Sequence, residues 1–485
     1  MIPDGAFHYP SVQKRKNMMH HSLLRLVATG ALMLGTASVY GEDLIEVYHL
    51  AQQNDPQLRA AEAQRQANGA ATWQSRAALL PNVNFSANRM WNDAEVKKSN
   101  NPAFFPTGSN QYFTSGYSLS LRQPLFYWDR FISWSQANAL EAQSEAIYQD
   151  ALQQTMLRVS QAYFNVLAAE NNLEAATAER EALEQQLRQT KQRFEVGLAA
   201  ITDVHESQAA FDATVAQEIA AKNQVDNARE QLTEITYTNV ATLAPLAEEM
   251  PLVRPEPENM TEWVEGAQKQ NLQLAAAEAG VEVARQEVNR RRSGHLPTLD
   301  LVASHNWSDT TDSPSVAGSE TVSNIVGLQL NVPIFAGGST WAASREASFL
   351  YNAAQDNLEA QRRATVRQTR QAYLGVEAGI SQVEARKQAL ASAQVALEAT
   401  QTGYRVGTRT AVDVLNAQRQ RYAAQRDYAS SRYDYILATL RLKQAAGTLN
   451  EGDLQQVNGW LQETQQPLQS EQPQQPQQTQ PPQQQ

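Results

Sequence analysis

Side chains able to do covalent or metal chemistry are few and scattered in this sequence. Cysteine is absent, which removes disulfides, thiolate metal ligands and thiol nucleophiles. The 7 histidines never form the H-E-x-x-H spacing of a helical zinc site, and no P-loop, dinucleotide fingerprint or nucleophile elbow is present. No convergent acid, base and nucleophile can be assembled, so neither catalysis nor a cofactor is expected. What remains is charge placed just after turns: Asp203 follows Val196-Gly197, and Asp413 follows Val406-Gly407. Taken alone, the glycines read as helix C-caps and the aspartates as helix-start acids favoured by the macrodipole. On the same basis Tyr404 reads as a packing aromatic and Arg409 as a solvated cation.

The elements that carry these turns are very long. From Asp129 to Phe194 there is neither Gly nor Pro, and Leu152, Met156, Val159, Tyr163, Val166 and Leu167 recur at three- and four-residue intervals. Such a helix reaches about 100 Å at 1.5 Å per residue. A second Gly/Pro-free run, Leu198 to Ala244, returns after Val196-Gly197, and Ser339 to Thr402, with only Gly375 and Gly379 inside, and Thr408 to Ala446 repeat the pair. Helices this rich in Ala, Gln and Glu gain little from their own sequence and need lateral partners, which predicts coiled hairpins.

Between the helical runs the hydrophobic period falls to two. Val83, Phe85, Ala87 and Trp91 alternate with polar residues near 82–91, and Tyr117, Leu119 and Leu121 do so near 115–123. The same holds for Leu299, Leu301, Ala303 and Trp307 near 299–307, and for Val326, Leu328, Leu330 and Val332 near 325–332. Each predicts a two-faced strand of about 8 to 10 residues, the length that crosses a bilayer when tilted. Trp91, Tyr112, Phe113, Tyr117 and Trp307 are then expected at the membrane interface, with Arg89 beside them. A soluble sheet with one face on a helix would alternate in the same way.

The chain is two copies of one unit. Shifting it by 216 positions aligns 43–91 with 259–307 without a gap, with 14 of 49 pairs identical, among them Leu80-Pro81 with Leu296-Pro297 and Trp91 with Trp307. An offset of 210 then sets Gln161-Ala162-Tyr163 on Gln371-Ala372-Tyr373 and Asp203-Val204 on Asp413-Val414. The expected organisation is an export signal and N-terminal extension at 1–41, one repeat at 42–244, a Pro-rich linker at 245–257, a second repeat at 258–459 and a disordered Gln/Pro tail at 460–485. The signal rests on Lys14, Arg15 and Lys16 before an apolar stretch from Leu23 to Leu34 that is too short to span a bilayer. Lys+Arg 40 against Asp+Glu 51 gives a net charge of −11 over 485 residues, which argues against nucleic acid as a partner.

In hydrocarbon an open strand edge leaves backbone groups unpaired, so a membrane sheet must close, and closure takes roughly eight strands. Four strands per chain therefore predict two, three or four chains per barrel. A soluble periplasmic coiled-coil scaffold accounts for the helices without the strands, and a passive pore for the strands without the helices.

The run Gly403-Tyr404-Arg405-Val406-Gly407-Thr408-Arg409-Thr410-Ala411-Val412-Asp413-Val414-Leu415, with its counterpart from Gln192 to Val204, strongly resembles the signature of TolC-type outer-membrane efflux proteins. The resemblance extends from about Glu42 to Gly459. It implies a homotrimer with a 12-strand barrel in the outer-membrane lipid and a 12-helix periplasmic tube. The implied partners are a periplasmic adaptor protein and an inner-membrane efflux pump or ABC transporter, serving drug efflux and type I secretion. It implies further that Thr202, Asp203, Tyr404 and Arg409 link neighbouring hairpins at a closed entrance, and that Val196, Gly197, Val406 and Gly407 meet the adaptor. An acidic ring is implied at Asp413, and where the family pattern has a second acid one turn on, this chain has Asn416, halving the ring's charge.

Overall fold

The computed structural model describes residues 42–101, 103, 107–240, 242–311 and 318–462. The export signal, and the expected tail beyond residue 462, lie outside them. In chain order the elements are α1 (Leu44–Asn54), α2 (Pro56–Ala77), β1 (Asn82–Val96), β2 (Gly108–Phe126), α3 (Trp128–Glu195), α4 (Ile201–Thr236), α5 (Met260–Gln270), α6 (Leu272–Arg292), β3 (Thr298–Thr310), β4 (Ser319–Asn331), α7 (Ser339–Arg405), α8 (Ala411–Ala446) and α9 (Glu451–Asn458).

The four strands form one antiparallel sheet in the order β1-β2-β3-β4. β2 and β3 are neighbours although the first repeat's helical hairpin, the linker and two more helices separate them in the chain. Register puts Val83 opposite Leu121, Phe85 opposite Leu119, Tyr117 opposite Trp307, and Leu301 opposite Leu328. One face is therefore largely apolar, and its side chains stand open: Phe85 is 68% exposed, Val326 79% and Leu328 68%. His305 and Asn324 interrupt it, satisfying each other at 2.6 Å from Nδ1 to Oδ1. The opposite face carries Asn82, Asn84, Ser118, Ser120, Ser304 and Asn306, with Ser118 Oγ donating to Asn306 Oδ1 at 2.6 Å. β1 and β4 each pair on one side only within the sheet of described strands.

The strands are longer than their apolar alternation predicted, at 15, 19, 13 and 13 residues. The ladder continues through polar residues expected to be loop. Ser109 Oγ donates to Asp93 at 3.1 Å, and Asn92 Nδ2 to Thr114 at 3.1 Å. Backbone pairing needs no apolar side chain, so the ladder can run on beyond the apolar band.

The α3/α4 and α7/α8 hairpins pack side by side, with α3 also lying against α2 and α6 and α7 against α6. The main core sits where α1, α3, α4, α7, α8 and α9 converge, around Leu44, Tyr48, Tyr163, Phe164, Tyr435, Ile436, Leu440 and Leu454. The buried phenols are satisfied by irregular backbone: Tyr163 Oη donates to the Ala244 carbonyl at 2.8 Å, and Tyr435 Oη to that of Val253 at 2.8 Å. Burial in this core pushes the Tyr433 hydroxyl up to about 12. α4 stops at Thr236 instead of running on to Ala244. Tyr237 turns left-handed at φ 55, and the Leu243 segment runs beside Glu42, whose N–H donates to the Thr242 carbonyl at 2.9 Å. The run after Tyr237 is rich in β-branched residues, and extended pairing with the start of the repeat outweighs weak helical preference.

Candidate functional site

The end of the hairpins opposite the sheet is formed by two turns with one construction. In the first, the Gly197 N–H donates to the Phe194 carbonyl at 2.9 Å and the Leu198 N–H to that of Arg193 at 2.7 Å. In the second, Gly407 donates to Tyr404 at 3.2 Å and Thr408 to Gly403 at 2.9 Å. Both are Schellman motifs, whose left-handed residue has to be close to glycine. Gly197 sits at φ 77 and Gly407 at φ 82. The residues beside them cannot fold inward from so tight a reversal. Val196 is 68% exposed, Leu198 70% and Val406 71%, so each hairpin ends in an apolar knuckle.

The helices that return from these turns begin on carboxylates. At α8 the capping box is complete: the Asp413 N–H donates to Thr410 Oγ1 at 3.2 Å, and the Thr410 N–H donates to Asp413 Oδ2 at 3.0 Å. Those bonds from Thr410 hold the Asp413 carboxyl below its ordinary value, with Arg409 adding to the effect. At α4 only the carboxylate half can exist, because the cap is Ala200, whose N–H donates to Asp203 Oδ2 at 3.3 Å. Thr202 is exposed one residue earlier, and Asn416 lies exposed on α8 one turn beyond Asp413.

The remaining entrance residues divide between two environments. Tyr404 lies under the guanidinium of Arg193, 4.7 Å from ring centroid to Cζ, so the ends of α3 and α7 are already joined within one chain. Arg409 is exposed and folds over Gly403, where an added Cβ would lie 2.8 Å from its Cγ. Among the described residues of one chain, no hydrogen bond or ion pair joins Tyr404 or Arg409 to Thr202 or Asp203. The four residues are therefore brought to one end of the hairpins without being brought into contact.

The contacts that fasten the two hairpins above the turns are not among the residues singled out in the sequence. Arg426 on α8 reaches Glu179 on α3 at 3.2 Å, with the Glu179 side chain only 4% exposed, and Tyr422 Oη donates to the Ala178 carbonyl at 3.1 Å. Glu179 occupies the same helical stripe as buried Ala175 and Leu183. A carboxylate on an apolar stripe was the signal that could have exposed the pair.

At the other end, Trp91 pairs with Phe113 and Tyr117 with Trp307, the latter rings stacked at 5.5 Å between centroids. The Arg89 guanidinium lies 5.2 Å from the Phe113 ring. Tyr112 is a correction: its partner is Asn92, so strict alternation puts it on the polar face, apart from the other four aromatics.

Comparison with known proteins falls on this architecture. The model of the family described as "Outer membrane efflux protein" matches residues 47–236 and 263–448, one segment within each expected repeat. "Outer membrane protein TolC" of Vibrio cholerae is 40% identical over 441 residues, covering 90% of this chain and 98% of the relative. "Alkaline protease secretion protein AprF" of Pseudomonas aeruginosa is 32% identical over 434 residues, covering 88% and 89%. Among solved structures, the CmeC outer membrane channel of Campylobacter jejuni superposes with a TM-score of 0.71 at 17% identity, over 86% of this chain and 89% of that one.

Proposed function

The chain belongs to the outer membrane efflux protein family and is an outer-membrane channel protein of efflux and secretion, and from that premise we propose that three copies build the conduit. The observation that carries the proposal is a four-stranded sheet with one apolar face and an unpaired strand at each edge. β4 of one copy pairs with β1 of the next, three copies make a barrel of twelve strands, and no edge is left in hydrocarbon. The apolar face meets lipid and the Asn/Ser face lines a wet bore. The α3/α4 and α7/α8 hairpins continue the bore into the periplasm. The presence of a protease secretion protein among the relatives supports a role in type I secretion beside drug efflux. The working partners are then a periplasmic adaptor and an inner-membrane efflux pump or ABC transporter.

In this reading the knuckles at Val196-Gly197 and Val406-Gly407 meet the adaptor, because apolar side chains this exposed at a rigid turn suit a docking site. Arg409 and Tyr404 of one hairpin reach Asp203 and Thr202 of a neighbouring one through charge-assisted bonds, holding the entrance shut. Asp413, kept ionised by its cap, contributes a ring of negative charge that favours cations. Single-channel recording in planar bilayers tests the gate. Arg409→Ser and Tyr404→Phe should each raise conductance over the wild-type channel, and unchanged conductance in both removes these residues from the gate.

A further inference from the structure

Below the apolar face of the sheet the exposed aromatics continue. Ile334 and Phe335, just after β4, are 93% and 88% exposed, and the first turns of α7 present Trp341 and Phe349 at 62% and 61%. Between the last two stands Arg345, its guanidinium 5.2 Å from the Trp341 ring and 5.7 Å from that of Phe349. Residues 341, 345 and 349 share one helix face at four-residue spacing. Among the described residues Arg345 has no carboxylate partner, unlike Arg290 and Arg291 of α6, which are held by Glu287 at 2.7 Å.

A single chain leaves one flank of α7 open, so exposure there could end when copies join. The duplication supplies an internal control, because α3 is the same helix with both flanks, α2 and α6, already in place. The offset of 210 holds near the helix start, where Ala137 and its counterpart Ala347 are both buried. Phe131, the counterpart of Trp341, remains 42% exposed between its two neighbours, and Ser135, the counterpart of Arg345, is also exposed. Trp341 and Arg345 therefore stay open after closure.

The direction of this face follows from Arg130. It borders an open cleft of about 680 Å³ lined by Asn82, Asn84, Ser120, Arg122 and Gln329 on the polar face of the sheet, and so marks the side of the bore. Trp128, Phe131 and Ser135 lie about 100–160° around the helix from it, and the rings of Trp128 and Phe131 touch at 6.2 Å between centroids. The Trp341–Arg345–Phe349 face of α7 consequently looks outward, level with the periplasmic end of the barrel. Side chains on a helix lean towards its N-terminus, which here is the end next to the sheet, so Arg345 leans towards the membrane.

We propose that Arg345, framed by Trp341 and Phe349, binds the phosphate of an anionic phospholipid in the periplasmic leaflet of the outer membrane. The rings sit at headgroup depth, where amphipathic aromatics are favoured. The guanidinium offers a planar fork to phosphate oxygens, and the apolar face of the sheet above it is the bed for the acyl chains. This inference rests on the channel reading, whose barrel supplies the bilayer.

Native mass spectrometry of the assembled protein in detergent, titrated with phosphatidylglycerol, tests it. Diacylglycerol serves as the phosphate-free control and inorganic phosphate as competitor. One cation near an anionic surface is worth about 1 kcal/mol, or about fivefold. Arg345→Gln should therefore weaken phosphatidylglycerol retention about fivefold, Arg345→Lys should keep most of it, and Arg363→Gln lower on α7 should change nothing. Diacylglycerol should bind the wild type and Arg345→Gln alike. Equal retention by the wild type and Arg345→Gln overturns the proposal, as does displacement by inorganic phosphate at concentrations equal to the lipid, which marks a free-anion site. A chain that stays single refutes the channel reading instead, whereas a conducting oligomer whose lipid retention ignores Arg345 refutes this inference alone.

Discussion

The residue that best separates appearance from function is Glu179, a carboxylate buried inside a coil of helices and matched by Arg426 on the neighbouring hairpin. Removing one partner of such a pair strands the other charge and costs about 3 kcal/mol, whereas replacing both by apolar groups can be near neutral. Arg426→Met should accordingly lower the denaturation midpoint strongly, and Arg426→Met with Glu179→Leu should recover most of the loss. Additive effects in that double-mutant cycle would show the pair to be uncoupled. Asp413 was legible in the sequence because an acid three residues into a helix is a local signal, and its bond partners are local too. Arg193 over Tyr404 was not legible, because those residues are 211 positions apart and meet only once two hairpins have packed. Tyr112 was misread for a simpler reason: adjacent aromatics on a strand cannot share a face.

Among the elements, the helices were legible almost to the residue wherever Gly and Pro bounded them. The expected start at Asp129 and break at Val196-Gly197 fall within two residues of α3 as observed. Ends set by tertiary pairing were not legible, as at Thr236, where the chain leaves a helix to run beside Glu42. Strand existence was readable from alternation, while strand length was not, because polar residues carry the ladder beyond the apolar band. Glycines at helix ends differ in what they tolerate. Gly197 and Gly407 have open space around them and need only their positive φ, but a methyl at Gly447, φ 76, would collide with the backbone carbonyl of Gln270. Gly407→Ala should cost about 1–2 kcal/mol through conformation alone, leaving assembly intact. Gly447→Ala adds a clash of main chain on α5 and should sharply reduce the assembled protein recovered from outer membranes. Equal recovery of the two variants would mean that the α5 contact at Gly447 yields without cost.

In the proposed assembly, the duplication makes one chain a third of a ring. There the seam that β2 and β3 make inside the chain recurs between chains as β4 beside the next β1. The need for closure is legible in the sequence, since strand number and backbone pairing are readable from pattern, but that pattern fits two, three or four chains alike. The number three came from resemblance, because the angle between repeats is a property of packed helices that no single-sequence pattern states. In this assembly the strand edges are joined chain to chain. Native mass spectrometry of the purified protein in detergent should show a single dominant species of three chains, and a stable, folded species of one chain would rule out joined edges.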